Sequence, residues 1–138
     1  MAKLKQFPIL PKTVYEYSKE TARGRLAGDT VWACAFEFNM KKSALGLSQE
    51  PVEGILTYTD YEFSNKQYSQ MPNPHAKKPR YFVPRNKKGT GYCWSAAVAI
   101  ESRAYADTEA ECRKLYKTMI HDWQEWFESC ADLCRTYL

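Results

Sequence analysis

A chain of 138 residues with 44% hydrophobic and 26% charged residues and a formal net charge of +4 reads as one soluble globular domain. It is long enough to bury an ordinary core without disulfide staples. Its five cysteines, at 34, 93, 112, 130 and 134, are odd in number and form no regular disulfide framework, which favours buried free thiols in a reducing compartment.

The first residues, MAKLKQFPILPK, carry an apolar run broken by Pro8 and Pro11. That run is too short for a signal-peptide core or a membrane span, so a cytoplasmic protein with no membrane contact is expected. Residues 1–12 read as an extended arm. From Thr13 to Arg25 the pattern fits a helix or an alternating strand. Thr13 and Glu16 stand in capping-box relation, and a short helix is favoured.

Thr30 to Phe38 is the clearest early strand, with Trp32, Cys34, Phe36 and Phe38 sharing one face. Val52 to Phe63 alternates as a second, antiparallel to the first. Gly91 to Ala106 alternates again and reads as a third long strand. Arg80 to Val83 fits a short edge strand between prolines.

The last element is a long helix over 107–137, begun by Asp107 and Thr108 with Glu111 in capping-box position. Cys112, Tyr116, Met119, Trp123, Trp126, Cys130, Leu133 and Tyr137 form its apolar stripe, widened by Leu115, Ile120, Phe127 and Cys134. A helix of that length outruns the sheet it covers, so self-association through the helix or the sheet, as a homodimer, is expected. The expected fold is a single α+β domain over 1–138. An antiparallel sheet of three to five strands packs against the long C-terminal amphipathic helix, with the short N-terminal helix at a flank.

Charge is uneven: residues 1–90 hold 15 Lys/Arg against 8 Asp/Glu, and residues 91–138 hold 5 against 8. The excess lies in the proline-rich connection at 64–90, SNKQYSQMPNPHAKKPRYFVPRNKKGT, which has seven cations and no carboxylate. Such a run is favourable when an anion neutralises it. Lys77, Lys78, Arg80, Arg85, Lys87 and Lys88 are the candidate phosphate contacts, and Tyr81, Phe82 and Tyr92 the candidate stacking rings. Arg103, near the start of the long helix, is a further candidate anion contact, with pairing to Glu101 as its plainer role. Arg113 is a candidate for the same anion contact, with pairing to Glu109 as its plainer role.

The structural alternative for the whole segment is a solvated loop that keeps a sheet edge soluble. Lys88 to Trp94 approaches the basic-Gly-aromatic-Gly-aromatic signature of RNA-recognition strands, but Thr90 occupies the first stacking position. A glycine-rich turn entering a strand accounts for it more simply. Cys112, Cys130 and Cys134 project to one helix face and read as core thiols, not metal ligands. His75 beside Lys77, Lys78 and Arg80 could serve phosphodiester chemistry as an acid, which would make the chain an enzyme, but no carboxylate cluster lies nearby for a metal or a base.

The expectation is therefore a non-enzymatic binder of nucleic acid or a nucleotide, with no cofactor and no metal. The alternative is a small phage- or mobile-element-type inhibitor or adaptor whose basic loop docks on an acidic protein surface.

Overall fold

A computed structural model describes residues 7–39, 41, 46, 48–59 and 77–138. The fold is α+β. Helix α1 (Val14–Ala22) precedes strand β1 (Thr30–Ala35), followed by β2 (Gln49–Thr57), β3 (Tyr81–Pro84), β4 (Val98–Ala99), β5 (Ala104–Ala106) and helix α2 (Glu109–Thr136). The strands form one five-stranded sheet in the order β4-β3-β2-β1-β5, every pair antiparallel.

Both helix starts follow local chemistry. In α1 the Glu16 amide donates to Thr13 Oγ1 (3.4 Å) and the Thr13 amide to Glu16 Oε2 (3.0 Å), a complete capping box that satisfies two otherwise unpaired donors. In α2 the Glu111 amide donates to Thr108 Oγ1 at 3.2 Å. Glu109 and Glu111 lie in its first turn, where carboxylates complement the positive end of the helix dipole.

The sheet buries both faces. Cys34, Ala104 and Ala106 pack against Cys112 and Met119 of α2, with Trp32, Phe36, Leu115 and Tyr116 around them. On the opposite face Val31, Ala33, Leu56, Phe82 and Tyr105 form a second cluster, joined by Ala22, Val52, Val98 and Ile100. The register explains the sorting: Val31 opposes Gly54, Ala33 opposes Val52 and Tyr105, and Leu56 opposes Phe82. Directly opposed residues share a face.

The region expected to be one long strand, 91–106, is broken. A 3-10 turn at Trp94–Ala96 precedes β4, and another at Ile100–Ser102 separates β4 from β5. These two strands lie at opposite edges of the sheet. A flat five-stranded sheet is about 19 Å across, whereas the residues from Ala99 to Ala104 reach about 17 Å fully extended. The sheet must therefore curl so that its edges approach.

Two contacts on the concave side record the curl. The rings of Phe82 in β3 and Tyr105 in β5 sit 5.7 Å apart although β2 and β1 lie between their strands. The Tyr105 hydroxyl donates to the Ile100 carbonyl at 2.5 Å. Gly54 makes room for this: a Cβ there would collide with the Phe82 ring and the Val83 carbonyl.

Helix α1 covers the β5 edge, where the Tyr105 amide donates to Thr21 Oγ1 at 2.9 Å, so that edge is not open for pairing. Tyr17, buried beside α2, donates to Asp122 Oδ2 at 2.7 Å. Beyond the sheet, Trp123, Trp126 and Phe127 gather Phe38 and Phe7 into an aromatic cluster. The Trp126 indole N–H donates to the Pro8 carbonyl at 3.2 Å.

Burial along the α2 stripe ends near Trp126. Cys130 and Leu133 are half-buried, and Cys134 and Tyr137 are exposed. The expected core role therefore holds for Cys34 and Cys112, which are fully buried, and not for Cys134.

Replacing Gly54 by alanine should cost about 2 kcal/mol in urea unfolding, the usual cost of overpacking. Adding Phe82→Leu should recover only part, because the Val83 carbonyl still blocks the Cβ. Burial and the bond to Asp122 push the Tyr17 phenol above its ordinary value. Its contribution is then complete below about pH 10 and is lost as pH climbs from there toward the folded value. Tyr17→Phe should cost about 1–2 kcal/mol at neutral pH. The gap to the unaltered chain should narrow above about pH 10 in unfolding curves taken across that range.

Candidate anion-binding site

Three segments meet where the basic connection enters β3. The Ala27 amide donates to the Lys77 carbonyl (2.9 Å), the Arg80 amide to the Thr57 carbonyl (2.8 Å) and the Ile100 amide to the Arg80 carbonyl (2.9 Å). These bonds pin residues 77–80 between the turn after α1, the end of β2 and the crossing segment. Gly24, at φ +79°, turns the chain out of α1 in the left-handed region that glycine adopts without penalty.

The junction encloses a pocket of about 490 Å³, within the size range of small-ligand sites. Ala22, Leu26, Pro79 and Ile100 supply apolar walls, while Lys19, Arg23, Arg25 and Lys78 supply positive charge. Glu101 lines it as well.

The cations differ in what already holds them. Arg25 donates through Nε to the Thr21 carbonyl (2.6 Å) and through Nη1 to Asp107, with only 16% of its side chain exposed. It is a fixed, largely neutralised charge. Lys19 sits 4.5 Å from the centre of the Tyr15 ring. Arg23 and Lys78 are exposed and are the most available. Next to the pocket, Lys77 Nζ and the Arg80 guanidinium lie 4.4 and 5.1 Å from the centre of the Tyr58 ring, both within cation–π reach of it.

The residues singled out from sequence fall into separate places. Lys77, Lys78 and Arg80 stand together at the start of β3. Lys87 and Lys88 are exposed at the other end of that strand, about 13 Å away over four residues. They occupy a turn closed by the Asn86 amide to the Gly91 carbonyl (2.8 Å) and the Gly89 amide to the Asn86 carbonyl (3.0 Å). The glycine-rich stretch is thus a turn, and a 3-10 turn at Trp94–Ala96, not a strand, follows it.

Arg85 is paired, donating through Nε and Nη2 to Glu53 Oε1, and its guanidinium lies 5.1 Å from the centre of the Tyr92 ring. That ring is half-buried, as is Tyr81.

Phe82 does not serve as a stacking ring: at 1% exposure it belongs to the concave core, because its neighbours in register, Leu56 and Val98, are core residues too. β3 itself is flanked by β2 and β4, so it is not the edge strand expected. Arg103 joins neither basic group and lines a different pocket, while Arg113 pairs with Glu109 at 2.9 Å.

Lys66, Tyr68 and His75 lie outside the described residues, as does the end of the second strand expected beyond Thr59. Sequence reasoning missed Lys19, Arg23 and Arg25. Their signal was present as cations around Gly24 at the end of a favoured helix, but their meeting with Lys78 depends on the fold.

One cluster on α2 has metal-ligand chemistry. His121, Asp122 and Glu125 offer ligand atoms within 4.8 Å of one another. Asp122 already accepts from Tyr17, and His121 Nε2 lies 3.7 Å from Glu125 Oε1. Among the described residues no helix is long and apolar enough to cross a membrane. No family model, curated protein or solved structure matches the chain.

Proposed function

We propose that this protein is a non-enzymatic binder of an anionic ligand, nucleic acid or a nucleotide, at the basic surface formed by Lys77, Lys78 and Arg80 with Lys19 and Arg23. The observation that carries this reading is the pocket of about 490 Å³ that joins apolar walls to four cations. An apolar wall suits a base or sugar face, and the cations suit phosphate. Lys87 and Lys88 extend the positive surface along β3 and would meet a longer polyanion.

A second reading has one observation in its favour. With Phe82 buried and Arg85 lying over Tyr92, charge at this surface outweighs open aromatic area. That balance suits an acidic protein face, as an inhibitor or adaptor would need. Self-association belongs to the proposal as well, through the exposed end of the α2 stripe at Cys134 and Tyr137.

A fluorescent single-stranded oligonucleotide titrated at rising salt tests the first reading. Neutralising three or four phosphates should give a log–log salt slope of about −2 to −3. Lys78→Glu combined with Arg23→Glu should flatten that slope and weaken binding by about tenfold or more. No affinity at low ionic strength, together with no nucleotide found by mass spectrometry of the purified protein, would remove the reading. Capture of an acidic protein that survives nuclease would then favour the second. Glu101→Gln, which removes the carboxylate lining the pocket, should strengthen oligonucleotide binding by about two- to fivefold.

A further inference from the structure

Arg103 begins the turn into β5 on the concave face of the sheet, away from the basic pocket. Its Nη1 donates to the Ser102 carbonyl (3.0 Å) and to Ser102 Oγ (3.2 Å). Ser102 Oγ in turn donates to the Ala99 carbonyl at 2.7 Å. The guanidinium is thus held in place by the crossing segment itself. Its Nε and Nη2 hydrogens have no acceptor among the described residues, and no carboxylate lies within salt-bridge distance of it among them.

Nε and Nη2 form the edge of a guanidinium that matches a carboxylate with two parallel hydrogen bonds. Burial lowers the pKa of Arg103, which reflects the cost of a charge withdrawn from water without a counter-ion. A half-buried cation left in that condition is better stabilised when a ligand supplies the anion.

The surroundings define that ligand. Arg103 lines a pocket of about 440 Å³ together with Val52, Phe82, Pro84 and Val98, so one end is cationic and the walls are apolar. Glu50 also lines it. Arg103 is the one cation among the described residues lining the pocket, and Glu50 is exposed at its rim, which is too little positive charge for a dianion or a phosphate chain. A single bidentate fork matches a monoanion. We propose that this pocket binds a small amphipathic carboxylate, its carboxylate on Arg103 and its apolar body against the half-buried Val52, Pro84 and Val98. The site is separate from the basic surface and does not rest on the reading given for it.

The test uses methyl NMR of the full chain titrated with 3-phenylpropanoate and, separately, with its primary amide, which has the same body and no charge. The acid should move the Val52 and Val98 methyl signals saturably, and the amide should bind about tenfold or more weakly, the loss expected for a charge-assisted pair. Arg103→Gln should bring the acid down to the level of the amide, while Arg103→Lys should keep part of the difference. Lys78→Glu with Arg23→Glu should leave acid binding unchanged.

Equal affinity for acid and amide overturns the proposal, and that comparison needs no variant to fold. So does the absence of any shift at Val52 and Val98 up to about 10 mM ligand, beyond the range of a specific small-molecule site. Loss of acid binding in the Lys78/Arg23 variant would place the carboxylate on the basic surface and would equally sink it.

Discussion

The chain has to travel from one edge of its sheet to the other between Ala99 and Ala104, and the sheet curls to let it. The curl is possible because Gly54 offers no side chain where the Phe82 ring leans diagonally over β2. It is held by the Phe82–Tyr105 ring contact and by the Tyr105 hydroxyl on the Ile100 carbonyl. The concave side then fills with Val31, Ala33 and Leu56, and the other side receives α2. A flat version of the same sheet could not be closed by so short a crossing.

Both pockets lie along that crossing. Ile100 and Glu101 contribute to the one beside the end of α1, and Ala96, Val98 and Arg103 to the one over β2 and β3. Their electrostatic characters differ because different elements complete them. The turn after α1 brings Arg23 and Arg25 to meet Lys78, which concentrates positive charge. The start of β2 puts the exposed Glu50 on the rim of the pocket that Arg103 lines, outside salt-bridge distance of it, so positive charge is not concentrated there.

Like charges within the basic connection are relieved in three physical ways. β3 holds Lys77–Arg80 and Lys87–Lys88 at its two ends, Glu53 neutralises Arg85, and the Tyr58 ring sits beneath Lys77 and Arg80. Among the described residues, what looks in sequence like one cationic run is therefore two smaller ones, and the group at the start of β3 grows by recruiting cations from α1. This is why the candidate surface is centred on Lys78, with Arg85 and Arg103 serving other contacts.

The amino-acid sequence by itself determined the features whose causes are local. Capping residues three apart marked the starts of α1 and α2, alternation marked β1 and its pairing with β2, and the spacing from Cys112 to Trp126 marked the buried face of α2. Lys77, Lys78 and Arg80 were legible as a charge concentration for the same reason. Tertiary structure alone decided the rest. Alternation over 91–106 is equally compatible with one strand or with two short strands at opposite edges, and only the curl selects between them. An aromatic beside a cation reads the same whether it faces water or the core, and Phe82 is core because Leu56 and Val98 stand next to it in register. Arg23 meets Lys78, and Arg103 lacks a carboxylate partner among the described residues, through contacts between segments far apart in the chain. Such contacts leave no periodicity for a sequence to carry.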